Sequence, residues 1–193
     1  MGFKLIRPVV KTKLTRDAWL QAGFEALDRY GYEATSAQAL ARRLNVTRGS
    51  VYHHFASRQD FVQQLLHRWE VDYTVDVLTE ANAATEPFDK LQRYIAIAAR
   101  LQPGREVAIR AWATRDKWVQ ELLQRVECLR LEFAREAARA LLSCSAREVD
   151  VEAFAQLAYL GFIGMQHTAQ QGDRRFVRFF ADLTDLGRRM SIA

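Results

Sequence analysis

Thr47-Arg48-Gly49-Ser50-Val51-Tyr52-His53 places five polar side chains and a glycine within seven residues. Arg48 can donate two hydrogen bonds to the O6 and N7 edge of guanine. Gly49 has no side chain and lets a backbone come close to a duplex. Ser50 can contact a base edge or a phosphate, and Tyr52 and His53 can reach a phosphate or lie against a thymine methyl group. Thr47, at a helix start, can hold a phosphate through its hydroxyl and its backbone N–H. Arg58 follows where the next helix begins, placed to meet the phosphate backbone on the flank. The chemistry on offer is base recognition with phosphate neutralisation. The same residues would also make the ordinary polar face of a short amphipathic helix, and composition alone does not separate the two.

Helical signals surround this stretch. Thr15 is a natural N-cap, with Asp17 in the first turn and Gly31 as the stop, and Leu20, Phe24 and Leu27 repeat at helical spacing between them. Thr35-Ser36 is a second cap pair, ahead of an apolar face of Ala37, Leu40, Ala41 and Leu44. Asn45-Val46 interrupts that face, and Asn tolerates the left-handed conformation that a tight interhelical turn requires. Thr47 then caps a further helix with Val51 and Phe55 inward. Ser57 caps a longer one, with Phe61, Leu65, Leu66 and Trp69 inward, that runs to about Ala81. Over residues 35–55 this is the spacing of a helix-turn-helix. After a link at 82–87, helices are predicted over 88–101, 105–114, 116–143, 148–171 and 173–190. They are punctuated by Pro103-Gly104, Arg115-Asp116, Ser143-Cys144-Ser145 and Gly172, and Ser145-Ala146-Arg147-Glu148 reads as a capping box. The fold class expected is all-α.

Composition removes several alternatives. With 193 residues and 49 % apolar content the chain can bury a substantial core, and 9 Gly and 3 Pro are too few for a barrel or sandwich of many short strands. Two cysteines build neither a disulfide scaffold nor a four-thiolate zinc site. The longest apolar run, Leu157 to Met165, is too short to span a bilayer. The opening MGFKLIRPVVKTK lacks the apolar core of a secretory signal, so a cytoplasmic location is expected and no membrane partner. The net charge of +5 is unevenly spread: residues 1–60 hold ten Lys or Arg against five acids, and the remainder is balanced. A basic segment joined to a neutral body fits a nucleic-acid-binding part joined to something else, although such an excess also occurs on plain solvated surfaces. No Glu-x-x-His pair, His-Glu-x-x-His, Gly-x-Ser-x-Gly or phosphate-loop pattern occurs, so no enzyme activity, cofactor or metal is expected. Adjacent His53 and His54 point to different sides of a helix and do not make a metal pair.

The stretch from Gly31 through Leu40-Ala41, Leu44-Asn45-Val46-Thr47 and Gly49-Ser50-Val51-Tyr52-His53-His54-Phe55 to Arg58 resembles the N-terminal DNA-binding domain of TetR-like transcriptional regulators. The resemblance covers about residues 14–69. Asn45 stands where that family most often has Gly, and Arg58 where Lys is usual. The resemblance implies a homodimer that sets one recognition helix from each subunit into the major groove of a palindromic double-stranded operator. It places Thr47, Arg48, Gly49, Ser50, Tyr52 and His53 at the DNA, puts Thr35, Ser36 and Arg58 at phosphates, and turns His54 and Phe55 inward. The implied organisation is a basic arm over 1–13, a three-helix helix-turn-helix domain over 14–58, a connecting helix and link over 59–86, and a helical ligand-binding and dimerisation domain over 87–193.

In the C-terminal body, Phe154, Leu157, Ala158, Gly161, Phe162, Met165 and Ala169 share one helix, and Phe176, Phe179, Phe180, Leu183, Leu186 and Met190 the next. Such stripes serve equally as monomer core or as a four-helix dimer interface. The resemblance favours the interface, with Phe154, Leu157, Gly161, Phe162, Met165, Phe176, Phe180 and Leu183 as its residues. It also implies a small-molecule pocket between about 88 and 170, for which Tyr94, Arg110, Trp112, Tyr159, Gln166 and His167, with Arg100 and Trp118, are the aromatic and polar candidates. Taken singly, each is better explained as packing or surface. The reading is a repressor released by an effector that the sequence does not name. The alternative is a DNA-binding scaffold whose body binds a protein.

Overall fold

The computed structural model describes residues 14–143, 150–168 and 174–192. The basic arm, Cys144, the capping box at 145–148, Ala169 and Gly172 lie outside the described residues.

Helix α1 (Arg16–Tyr30) is capped by Thr15, whose hydroxyl accepts the Ala18 N–H at 3.2 Å. It stops at Gly31, whose φ of +76° suits a residue without a Cβ and whose N–H returns to the Leu27 carbonyl. A 3-10 turn (Tyr32–Thr35) leads into α2 (Ala37–Arg43), capped by Ser36. Asn45 then adopts φ +53°, the one left-handed non-glycine residue among those described, as the sequence predicts. A β-branched side chain there would strain the turn: Asn45→Val should lower stability by about 1–2 kcal/mol, and Asn45→Gly should not, as read by urea denaturation.

The expected second helix of the motif is a 3-10 helix, Arg48–His53, rather than an α-helix. Ser57 caps α3 (Arg58–Glu70) by accepting the Asp60 N–H at 3.0 Å. The long helix expected to reach Ala81 is present but interrupted. A π-segment (Val71–Val75) separates α3 from α4 (Asp76–Asn82), a break that no residue type announces. The body comprises α5 (Pro87–Ala98), α6 (Pro103–Ala113), α7 (Lys117–Leu142), α8 (Val151–Thr168) and α9 (Arg174–Ile192). Pro103, read from sequence as a breaker, opens α6, where its missing N–H would have had no helical partner in any case. The described residues are helices and connecting turns, with no strand, and none of the helices is long and apolar enough to cross a membrane.

Two apolar clusters hold the chain together. The first contains Trp19, Leu27, Leu40, Phe55, Leu65 and Trp69 from the N-terminal helices, and continues without a gap into Ile109, Trp112, Val119 and Val126 of α6 and α7. Gly23 lets α1 close on α3, since a Cβ there would lie 2.9 Å from the Phe61 ring. Polar contacts reinforce the junction with α6. Arg105 pairs with Asp28 at 2.9 Å while stacking over Phe24 at 4.0 Å, and Tyr32 stacks on Trp112 at 5.4 Å. The second cluster, of Ile95, Ala98, Tyr159, Phe162, Phe176 and Phe180, joins α5, α8 and α9.

Candidate nucleic-acid interface and inner cavity

Val51 and Phe55 are buried, and Phe55 packs edge-to-face on Phe61 at 5.0 Å. That anchorage turns the other side of the 3-10 helix outward. Thr47, Arg48, Gly49, Tyr52 and His53 are all exposed, and Ser50 is half-buried. Thr47 does not cap the helix with its side chain; its hydroxyl shares a hydrogen bond with that of Ser50 at 3.1 Å. Arg42, Arg43 and Arg58 are exposed on the flanks, so the face carries cations and hydrogen-bond donors without an intervening carboxylate from residues 34–59. Ser36, half-buried, uses its hydroxyl to cap α2. His54 is half-buried, its ring inclined at 61° to that of Phe55.

Thr35 departs from its expected place at a phosphate. It is 0 % exposed, and its hydroxyl donates to the Tyr32 carbonyl at 2.6 Å, closing the turn before α2. A Thr-Ser pair at a helix start offers two cap candidates, and this backbone uses the second.

The second feature is a cavity of about 60 Å³ between α5, α7, α8 and α9. Tyr94, Phe133, Tyr159 and Phe162 supply its aromatic wall, and the small side chains of Ala134, Ala137 and Ala138 line the α7 side. Of the residues proposed from sequence for a ligand pocket, Tyr94 and Tyr159 line it. Arg110 lies beside it, ion-paired with Glu127 and donating from Nη2 to the Tyr159 hydroxyl at 3.4 Å. Gln166 is buried outside the lining, His167 is exposed, and Arg100 sits in a separate groove beside α9. Trp112 belongs to the first apolar cluster and Trp118 packs against it, and neither lines the cavity. Aromatic residues at helical spacing mark burial, and here it is burial in the junction with the N-terminal helices.

Sequence reasoning missed Arg130. It lines the cavity yet is buried, and its guanidinium forks onto Glu106 at 2.7 and 3.0 Å. Its Nε donates to Thr74 Oγ1 and its Nη2 to the Tyr73 carbonyl, each at 3.1 Å, so it also holds the π-segment. Trp69 donates its indole N–H to Glu106 at 3.1 Å. Burial alone would raise the Glu106 pKa, but the charge and hydrogen bonds of Arg130 outweigh it and hold the carboxyl below its usual range. Twenty-four residues separate the partners and no local pattern joins them.

The proposed dimer face is divided. Phe162, Phe176 and Phe180 are core residues of the chain itself, Met165 and Leu183 pack against them, and Phe154 lines the cavity. Gly161 faces the Phe179 ring of the same chain, and a Cβ there would take the space which that ring occupies. Leu157 alone among the eight lies open, at 65 % exposure, and Leu160, one turn on, is 61 % exposed. Helix α8 is apolar on two sides, and composition does not tell which of them packs inward.

Residues 20–65 match the family model of bacterial regulatory proteins, tetR family, which supports the resemblance over the motif. No curated protein matches the chain. Solved structures share the fold along nearly its whole length. A ketosteroid transcriptional regulator, KstR2, of Mycobacterium tuberculosis superposes with a TM-score of 0.62 at 15 % identity, over 88 % of this chain and 93 % of that one. A putative transcriptional regulator from Saccharomonospora viridis, in complex with choline, gives 0.66 at 15 % identity, over 89 % and 94 %. The reduced form of E. coli NemR gives 0.64 at 15 % identity, over 90 % and 94 %. The architecture is therefore that of TetR-type regulators: an N-terminal helix-turn-helix and a C-terminal helical body.

Proposed function

We propose that this chain is a homodimeric, sequence-specific DNA-binding repressor, released from a palindromic operator by a small molecule that occupies the cavity of the body. The observation that carries the reading is the outward face of Arg48, Tyr52 and His53, locked by buried Val51 and Phe55 within the stretch that matches the family model. Arg48 and Ser50 read bases, while Ser36, Thr47 and Arg58 position the phosphates. The exposed strip of Leu157 and Leu160 supports pairing with a second copy.

Release follows from linkage. Two recognition helices must sit about 34–36 Å apart to enter successive major grooves. A ligand shifts the dimer from that spacing only by binding another arrangement more tightly. The cavity is far smaller than the roughly 300–1,000 Å³ of ligand clefts, so occupation must spread its walls. Arg130 is one of those walls and also grips Tyr73 and Thr74, in the helical run that continues from α3. Movement there is passed toward the DNA-binding helices through side chains already in contact. An apolar pocket among the helices of the body supports this reading over a body that recruits a protein.

Selection of bound duplexes from a random pool at moderate salt tests it. A palindrome should emerge. Arg48→Ala should weaken binding by about 30- to 2 × 10⁴-fold, since each of the two half-sites loses one bidentate contact worth about 1–3 kcal/mol, and should relax the preference at one base pair of each half-site. Tyr52→Ala should weaken binding with helix content unchanged. Salt-sensitive binding with no recovered motif, or full affinity in both variants, would sink the assignment.

A further inference from the structure

We propose that the cavity accepts an uncharged molecule with an apolar body and one hydrogen-bond-accepting group, seated against the Tyr94 hydroxyl. This rests on the effector reading above and narrows it to a ligand class.

The charges of the site are already matched. Arg130 is forked onto Glu106, and Arg110, beside Tyr159, is paired with Glu127. A carboxylate brought into the cavity would leave water and find no free counter-ion. A quaternary ammonium would find aromatic rings, but the Arg130 guanidinium already lies 5.7 Å from the Phe162 ring centroid and would repel it.

The hydrogen-bonding inventory is unbalanced toward donors. Tyr94 stacks on Phe133 at 4.8 Å and senses the charges of Arg130 and Glu106, yet its hydroxyl has no hydrogen-bond partner among the described residues. Burial pushes the Tyr94 pKa up to about 12 and raises that of Tyr159, so both phenols keep their protons at neutral pH. The Tyr159 oxygen accepts from Arg110, and among the described residues neither its own O–H nor the buried Arg110 Nε meets an acceptor. Thr184, the other hydroxyl in the lining, donates to the Phe180 carbonyl at 2.7 Å. What the site lacks is an acceptor, and a ketone, ester or ether oxygen supplies one.

The apolar body has a direction in which to extend. Leu91, Ala137 and Leu141 line both the cavity and an outer groove, where Arg188 stacks over Phe88 at 4.0 Å. Alanines on this face of α7 leave width, and Leu91 and Leu141 can change rotamer to join the two spaces.

Calorimetric titration of the full chain with 2-octanone, octanoate and octyltrimethylammonium, each below its micelle concentration, tests the inference. The ketone should bind at least about tenfold more tightly than either ion, because only the ions must be buried without a partner. Tyr94→Phe, checked for unchanged melting, should weaken the ketone about three- to tenfold, the size of one neutral hydrogen bond. Either ion binding as tightly as the ketone, no ketone binding, or an unaffected Tyr94→Phe variant would overturn the proposal. If that variant does not fold, the ranking on the unaltered chain decides alone. Ketone binding that leaves DNA bound would overturn the effector reading and uphold the ligand class. Release of DNA by octanoate with no ketone binding would do the reverse.

Discussion

Arg130→Met lowers the stability of the chain by about 3–5 kcal/mol, because it leaves the Glu106 carboxylate buried without its counter-charge. For a chain of this size that corresponds to a melting temperature lower by roughly 6–20 °C. Trp69 alone remains to donate to Glu106, and the Tyr73 carbonyl and the Thr74 hydroxyl lose their guanidinium partner as well. Glu106→Gln should be comparably damaging for the opposite reason, since it strands a buried guanidinium. The double replacement Glu106→Leu with Arg130→Met should recover most of the loss, because two apolar side chains carry no desolvation penalty. Denaturation at fixed protein concentration reads all three. Single variants within about 1 kcal/mol of the parent would show that the pair is not buried as described. The same pair sets an acid limit. The Glu106 pKa in the folded chain lies below its ordinary 4.5, so its stabilisation is complete above that value and is lost as pH falls through the lower, folded-state pKa. Glu106→Gln should remove this part of the acid dependence.

Leu157→Glu combined with Leu160→Glu converts the protein to a folded monomer and weakens operator binding by about 10²- to 10⁴-fold, the avidity lost when two half-sites are no longer held together. Both side chains are more than half exposed, so the chain's own core loses little. The buried side of α8, with Ala155, Tyr159 and Phe162, is untouched. Sedimentation should show the smaller species and circular dichroism the same helix content. A double variant that remains dimeric would place the subunit interface elsewhere.

The N-terminal motif was the most legible part of the molecule. Thr15, Ser36 and Ser57 each cap the helix that their position predicts, and Asn45 takes the left-handed turn that its tolerance permits. Caps and turns are local, so a few neighbouring residues decide them. The body was legible as helices but not as surfaces. Phe162, Phe176 and Phe180 follow a stripe that serves a core or an interface equally, and only the placement of α9 against α8 makes them core. Trp112 faces Tyr32 rather than the cavity because α6 leans on α1, a tertiary choice that helical periodicity does not carry. Glu106 and Arg130 were invisible for the same reason: a pair made across helices leaves no spacing to read.

The apolar cluster that runs from Trp19 and Phe55 into Ile109, Trp112 and Val126 limits how this protein can be recombined. A chimera that kept its first 58 residues and borrowed another regulator's body would sever that cluster. Trp19 and Leu27 would then meet side chains never fitted to them, and Asp28 would lose Arg105. The transferable unit is therefore discontinuous. To carry the proposed operator preference onto a new sensor, the N-terminal motif would have to bring the inward face of α6 and the first turns of α7 with it.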